Sequence, residues 1–389
     1  MPHRALALFA ATALTVTLAG CTADGGGGTE GGLVGEGSGD ECTIASPVPV
    51  GAALSLTGDA ASYGESQQRG LELAAEQLNA KGGVEYELTV EDDQTDPRQG
   101  IAVFEELTAE GGASAIIGPT LSSGAFQAQP IAQEEGVPVL AISNTVDGIT
   151  EQGDYIFRDS LTESRVIPQT VAAAKAEYGL ENVVVMYAND DALTEAGGQV
   201  FTETLAAEGI EVADTLTFSV EDTDFRALLT EAKAANPDAL MVSSLIEAAI
   251  PLVTQAREIG IDVPIVGGNG FNNPKLMADA GDAAEGVVVG AAWNSASDNP
   301  ENTAFLADFE EMHGTAPDQF AAQAYTGLML IDTAVRASCS GERDAIKEGL
   351  GSIEGVPTVL GELTINEERD AEHEAVVQIV EDGQFAVLD

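Results

Sequence analysis

Short, nearly continuous apolar runs recur along the chain at residues 48–56, 87–92, 113–118, 137–143, 155–158, 183–188, 239–243, 263–266 and 286–290. Segments with helical spacing separate most of them, at 65–79, 97–110, 126–135, 163–178, 195–208, 225–235 and 248–259. Strands that read as unbroken apolar runs, rather than as alternating ones, are buried on both faces, and this is the mark of a parallel sheet covered by helices. Regular strand–helix alternation then predicts a doubly wound α/β architecture. This many units exceed one sheet, so two α/β lobes are expected. After Trp293 the pattern changes to helices at 303–313 and 318–338 before strands return near 356–364 and 376–380. Such a late return implies that the chain passes between the lobes more than once.

The N-terminus has a different pattern. Met1-Pro2-His3-Arg4 is a short positive start, and residues 5–18 form an uncharged, mostly apolar run. That run is shorter than the ~20 residues that cross a bilayer and fits the core of a signal peptide. It leads into Leu18-Ala19-Gly20-Cys21, which resembles a bacterial lipobox, with 1–20 as signal peptide and Cys21 as the acylated first mature residue. A plain secretory signal with a chance cysteine is the alternative. Residues 21–46 contain Gly25-Gly26-Gly27-Gly28, Gly31-Gly32 and Gly35. Gly-rich polar chain of this kind behaves as a flexible coil, so the segment reads as a tether between anchor and body. The folded body is then expected outside the cytoplasmic membrane and attached to its outer face. Cys42 and Cys339 remain as an even pair in an oxidising compartment. A disulfide is the economical reading, two separate buried thiols the other.

Charge narrows the function. With 65 Asp and Glu against 15 Lys and Arg, the formal net charge is −50. Such an acidic surface lacks the basic footprint of a nucleic-acid binder and the basic patch of an anionic-membrane binder. Of three histidines, His3 lies in the signal segment, and His313 and His373 read as solvated. No P-loop, G-x-G-x-x-G or G-x-S-x-G motif occurs in the body. No cofactor or metal is therefore expected, and no catalytic constellation can be assembled. Binding is better supported. In open α/β sheets ligands sit beyond the carboxyl ends of strands. Two such ends are rich in hydroxyls: Gly118-Pro119-Thr120-Leu121-Ser122-Ser123 and Ile142-Ser143-Asn144-Thr145. Each by itself reads equally as a helix cap; together they suggest one carboxylate-sized cradle.

The series Gly51-Ala52-Ala53-Leu54-Ser55-Leu56-Thr57-Gly58, Tyr63-Gly64, Asn79-Ala80-Lys81-Gly82-Gly83-Val84, Asp92-Asp93-Gln94-Thr95-Asp96-Pro97 and Glu135-Gly136-Val137-Pro138-Val139 resembles the leucine/isoleucine/valine-binding proteins of ABC importers, within the wider branched-chain amino acid receptor family. The resemblance implies a periplasmic binding protein of type I: two Rossmann-like lobes joined by three hinge crossings, near 159–161, 290–293 and 358–363. The N-terminal lobe would comprise 47–160 plus 293–358, and the C-terminal lobe 161–292 plus 359–389. It implies that Ser122, with its neighbour Ser123, and Ser143 and Thr145 hold a ligand carboxylate, and that Tyr63 lines the cleft. The family places a Glu where this chain has Asn269, to pair with the ligand ammonium. Tyrosines of its second lobe are replaced near Ala192-Leu193 and Leu245. Asp191, or its neighbour Asp190, is the candidate for the missing charge.

The expected function is delivery of a small carboxylate-bearing solute, a branched-chain or related amino acid by family default, to the transmembrane subunits of an ABC permease. The protein would be a monomer touching the membrane only through its lipid. The alternative is a sensor or receptor on the same fold for an amide, urea-like or aromatic acid ligand. A multiply acylated cysteine anchors firmly, whereas a flexible tether contributes nothing to the fold. Cys21→Ala should therefore move the protein from the membrane fraction to the soluble fraction with its melting temperature unchanged. Retention in the membrane fraction would refute the anchor.

Overall fold

The computed structural model describes residues 32–109 and 112–388. The expected signal peptide, Cys21 and the first part of the tether lie outside the described residues. The first lobe begins with β1 (Val48–Leu54), α1 (Ala61–Lys81), β2 (Tyr86–Asp92), α2 (Pro97–Thr108), β3 (Ala115–Ile117), α3 (Ser122–Glu135), β4 (Val139–Ala141) and β5 (Ile156–Arg158). Its sheet has the order β2-β1-β3-β4-β5, with every pair parallel. Local chemistry sets the helix ends. Asp96 caps α2 by accepting from the N–H groups of Arg98 and Gln99, and Pro97 supplies a pre-set helical φ at the first position. Gly118, after β3, has φ of 109°, and a Cβ there would lie 2.2 Å from the carbonyl oxygen of Ala53. Only glycine lets β1 and the loop before α3 approach so closely.

The second lobe follows with α4 (Glu163–Tyr178), β6 (Asn182–Ala188), α5 (Ala192–Ala207), β7 (Glu211–Phe218), α6 (Arg226–Ala234), β8 (Ala239–Ser243), α7 (Ile246–Glu258), β9 (Ile265–Gly267), α8 (Lys275–Ala280) and β10 (Val288–Ala291). The chain then returns to the first lobe as α9 (Pro300–His313), α10 (Gln319–Ser338), α11 (Arg343–Leu350), β11 (Val356–Thr358), β12 (Gly361–Ile365) and β13 (Ala371–Glu372). It ends in the second lobe with β14 (Val376–Glu381) and β15 (Gln384–Val387). The second sheet runs β15-β14-β10-β9-β8-β6-β7; β14 pairs antiparallel with both β10 and β15, and the remaining pairs are parallel. Its parallel part repeats the order of the first sheet. In each lobe the chain therefore reverses its winding between two central strands, β1 and β3 or β6 and β8, and loops diverge there to open a crevice.

Several details depart from the sequence expectations. Strand β7 was not expected. It is an edge strand whose residues alternate between exposed and buried, so it lacks the apolar run used to find the others. Helices α8 and α11 are short, and the sequence pattern did not signal them. The third crossing falls at 373–375 instead of 358–363. Val359, Leu360, Leu363, Ile365 and Ala371 are buried in the core of the first lobe, and the chain joins the second sheet only at β14. Residues 359–372 thus belong with the first lobe, not the C-terminal one. The three crossings meet in a small apolar contact of Leu161, Val166, Ala292 and Ala375.

The part of the tether from residue 33 to 46 is fixed. Glu36 and Thr43 exchange backbone hydrogen bonds of 3.0 and 2.9 Å. Gly35 N–H donates to Cys339 O at 2.9 Å, and Ile44 N–H donates to Gly83 O at 2.9 Å. Cys42 and Cys339 are joined by a disulfide, with Cα atoms 5.3 Å apart and a sequence separation of 297. Composition alone suggested coil; backbone pairing and the cross-link override it. A loop this long gives a cross-link a large effect on the unfolded chain, about 2–5 kcal/mol. Replacing both cysteines by alanine should lower the melting temperature by several degrees, read by calorimetry. An unchanged melting temperature would mean that the strap adds no net stability.

A closed cleft around a buried carboxylate

The crevices of the two lobes face each other, and the first turn of α1 spans the gap. Tyr63 is buried, and its Oη donates to Gly270 O at 2.8 Å and accepts from Ile246 N–H at 2.6 Å. Both partners belong to the second lobe. Its ring packs on Phe320 with centroids 4.6 Å apart. Burial pushes the phenol pKa up, so the hydroxyl keeps its proton and can serve as donor and acceptor at once. The cleft is therefore closed. Leu121, Leu193, Leu245 and Phe320 supply apolar wall; Thr145, Asn269 and Gln323 supply polar wall. The leucines stand where the sequence comparison missed two tyrosines.

The structure brings most of the expected residues to this cleft but assigns their hydrogen bonds differently. Ser143 Oγ donates to Thr120 O at 2.6 Å and accepts from Gln67 Nε2 at 2.7 Å. Thr145 Oγ1 donates to Glu163 Oε1 at 3.1 Å. The protons of both hydroxyls are thus committed within the protein, and neither is a spare donor for a ligand carboxylate. Ser122 differs. It opens α3, it is 2% exposed, and its Oγ has no protein partner. Helix N-termini present unpaired N–H groups and favour negative charge. Of the expected cradle, Ser122 and the start of α3 are what the geometry leaves for an anion. Its neighbour Ser123 is half-buried and lies beside Asp191 of the opposite lobe, whose carboxylate it helps to stabilise.

The two candidate acids have local duties. Asp191 caps α5 by accepting from Thr194 N–H at 3.2 Å, and burial raises its pKa. Asp190 faces solvent and accepts from Val220 N–H at 3.0 Å and from the Ser219 hydroxyl. Glu163, which sequence reading treated only as the start of a helix, sets its carboxylate directly behind Thr145 and Asn269 of the cleft wall. It is 3% exposed. Its Oε1 accepts from Thr145 and, at 3.0 Å, from Asn269 Nδ2; its Oε2 has no protein partner. Loss of hydration raises its pKa to about 7, against the lowering effect of the Asn269 and Thr145 donors. An acid in the first turn of a helix ordinarily reads as complementing the helix dipole. The available clue was its position directly after a crossing, where the first turn faces the crevice and not solvent.

Comparisons with known proteins fit this geometry. Residues 47–384 match the periplasmic binding protein family model, and the chain belongs to that family. A leucine-, isoleucine-, valine-, threonine- and alanine-binding protein of Pseudomonas aeruginosa is 27% identical over 333 residues, which are 84% of this chain and 87% of the relative. Among solved structures, the branched-chain amino acid transporter substrate-binding protein LivJ of Streptococcus pneumoniae, in complex with isoleucine, is 27% identical and superposes with a TM-score of 0.83 over 88% of this chain and 99% of its own. A solute-binding protein of an R. palustris ABC transporter, in complex with benzoate, shares the fold at 24% identity with a TM-score of 0.81, over 88% and 96% of the two chains. Family membership implies an extracytoplasmic location. Among the described residues no helix is long and apolar enough to cross a membrane.

If Tyr63 latches the lobes, Tyr63→Phe leaves Ile246 N–H and Gly270 O without their partner and costs two hydrogen bonds, each typically about 1 kcal/mol. The variant should adopt a more open average shape without ligand, seen as a larger radius of gyration in small-angle scattering. An unchanged radius would show that closure does not depend on this hydroxyl.

Proposed function

We propose that the protein captures a small α-amino acid with an apolar side chain and delivers it to an ABC permease, held at the outer face of the membrane by a lipid on Cys21. Both side-chain polar atoms of Gln323 in the cleft wall lack protein partners, and so do the two buried oxygens next to that wall that carry the ligand assignment, Ser122 Oγ at a helix N-terminus and Glu163 Oε2. A zwitterion supplies a carboxylate to the first and an ammonium to the second. The closed cleft leaves only about 20 Å³ free, so the lobes must part to admit a ligand, whose side chain Leu121, Leu193, Leu245 and Phe320 then receive. On this reading Asn269 faces the amine end and acts by orienting Glu163 instead of meeting a charge itself. The branched-chain amino acid relatives support this reading.

A second reading takes a carboxylic acid without an amine. The carboxyl pKa of about 7 favours it, because a neutral Glu163 can donate a hydrogen bond to such a ligand, and a relative of the same fold holds benzoate. A receptor role for such an acid would use the same cleft.

The two readings predict opposite pH dependence. An ammonium ligand needs ionised Glu163. As pH falls through about 7 the unliganded carboxyl protonates, so leucine affinity should drop, approaching tenfold per pH unit below that point. A 2-keto acid of the same carbon skeleton should instead bind better as pH falls. Glu163→Gln should weaken leucine at least tenfold at pH 8, abolish its pH dependence and affect the keto acid little. Calorimetry from pH 5.5 to 8.5 decides. Leucine binding that is flat with pH and survives Glu163→Gln would rule out the amino acid assignment.

A further inference from the structure

Five buried side-chain amides form a single line through the molecule. Asn294 Nδ2 donates to Gln378 Oε1 at 2.7 Å, and Gln378 Nε2 donates to Asn272 Oδ1 at 2.6 Å. Asn272 Nδ2 donates to Gln319 Oε1 at 2.7 Å, and Gln319 Nε2 donates to Asn269 Oδ1 at 3.3 Å. Asn269 Nδ2 ends the line at Glu163 Oε1. The direction is set by two backbone groups that can only donate. Ala296 N–H reaches Asn294 Oδ1 at 2.7 Å, and Ala292 N–H reaches Gln319 Oε1 at 2.6 Å. With those oxygens fixed as acceptors, each amide nitrogen must point onward. Every donor in the line is therefore oriented toward Glu163. All five amides are buried, where hydrogen-bonded dipoles in series reinforce one another.

The line crosses between lobes at one residue. Gln319 is the first residue of α10, a helix whose Ala321, Ala322, Ala324 and Leu328 pack in the core of the first lobe. Asn269 and Asn272 follow β9 in the second lobe, Gln378 lies on β14, and Ala292 and Asn294 lie in the second crossing. A rotation that separates α10 from the segment after β9 breaks the two bonds that flank Gln319 and leaves Asn269 free to turn.

We infer that Gln319 is a positioning residue that makes the charge state of Glu163 depend on lobe closure: closing completes the one-way line of donors and readies the carboxylate for a ligand ammonium. The inference rests on the amino acid reading of the cleft. The charged group set against Glu163 is Asp147, on the loop after β4, which opposes ionisation. Asp318, which caps α10 beside Gln319, is engaged by Ala321 N–H and the Ser66 hydroxyl. Donors are thus what Glu163 has to favour its ionised form before a ligand arrives. The line also explains Asn269: an acid at that position would repel Glu163, whereas an amide passes the donor direction along.

Gln319→Glu tests this with almost no change of shape. An ionised carboxylate can still accept from Ala292 and Asn272 but cannot donate to Asn269, which must then turn its oxygen toward Glu163. Leucine affinity at pH 7 should fall at least tenfold, and the midpoint of its pH profile should move up by about one unit or more, while the 2-keto acid of leucine is weakened less. Equal weakening of both ligands with an unmoved midpoint would make Gln319 a structural residue only and overturn the inference. Carbon-13 titration of Glu163 in the ligand-free protein gives an independent readout. The carboxyl should titrate at higher pH in Gln319→Glu than in the wild type, and an unchanged titration overturns the inference whatever the ligand is. If the wild type binds neither leucine nor its keto acid while the titration shifts, the amino acid reading fails and the coupling stands. Should Gln319→Glu not fold, Gln319→Met removes the donor to Asn269 without adding a charge, and an upward shift is still expected; no shift there is equally fatal.

Discussion

A carboxyl group taken out of water must find donors, lose its charge or meet a cation, and Glu163 stands between these outcomes. Two donors satisfy Oε1, and Oε2, packed beside Gly268, is left without a protein partner. Burial lifts the acid to a pKa at which neither form dominates near neutrality. Such a group is a costly thing to enclose unless closure and ligand arrive together. That constraint accounts for the amides behind it, for Thr145 being turned inward, and for an asparagine where relatives are expected to carry an acid.

The architecture lets closure be selective without loosening either lobe. Both sheets repeat one strand order, so both present their crevice at the carboxyl ends of strands, and the crossings bring those crevices face to face. At the crossings the chain is firmly tied. Arg158, fully buried at the end of β5, donates to the carbonyls of Asn144 and Val146 at 2.8 and 2.6 Å and to Asp370 at 2.6 Å. It thereby links the loop after β4 to the segment that leads to the third crossing. Helix α10 carries information between distant ends. Gln319 at its start touches both lobes, and the segment 33–46 is strapped through Cys42 to Cys339 at its end, about 30 Å away at 1.5 Å per residue. The strap holds only the first lobe. It stiffens that lobe and leaves the hinge unconstrained.

Period and composition were enough to read the α/β class, the two-lobed body and most element positions, because strands sheathed on both faces must be apolar along their whole length and the helices covering them must be amphipathic. The places where reading failed share a cause. Edge strand β7 alternates because one of its faces meets solvent, and the small sheet after β11 joins the first lobe by packing that local pattern does not encode. The Gly-rich stretch before β1 looked like coil because pairing with residue 339 and beyond is invisible to composition.

The cleft divides in the same way. Hydroxyls at strand ends marked its neighbourhood, since a loop at a winding reversal has to carry polar groups. Which hydroxyl is spare was decided in three dimensions: Ser143 and Thr145 are consumed by Thr120 and Glu163, whereas Ser122 is not. Glu163 and the five amides are ordinary polar letters in sequence, separated by as many as 106 positions between bonded partners. Sequence by itself determined where strands end and what kind of residues gather there. Only the tertiary structure decided which of them are buried together and which way each donor points, because a hydrogen bond's direction is set by the backbone groups that happen to fix its ends.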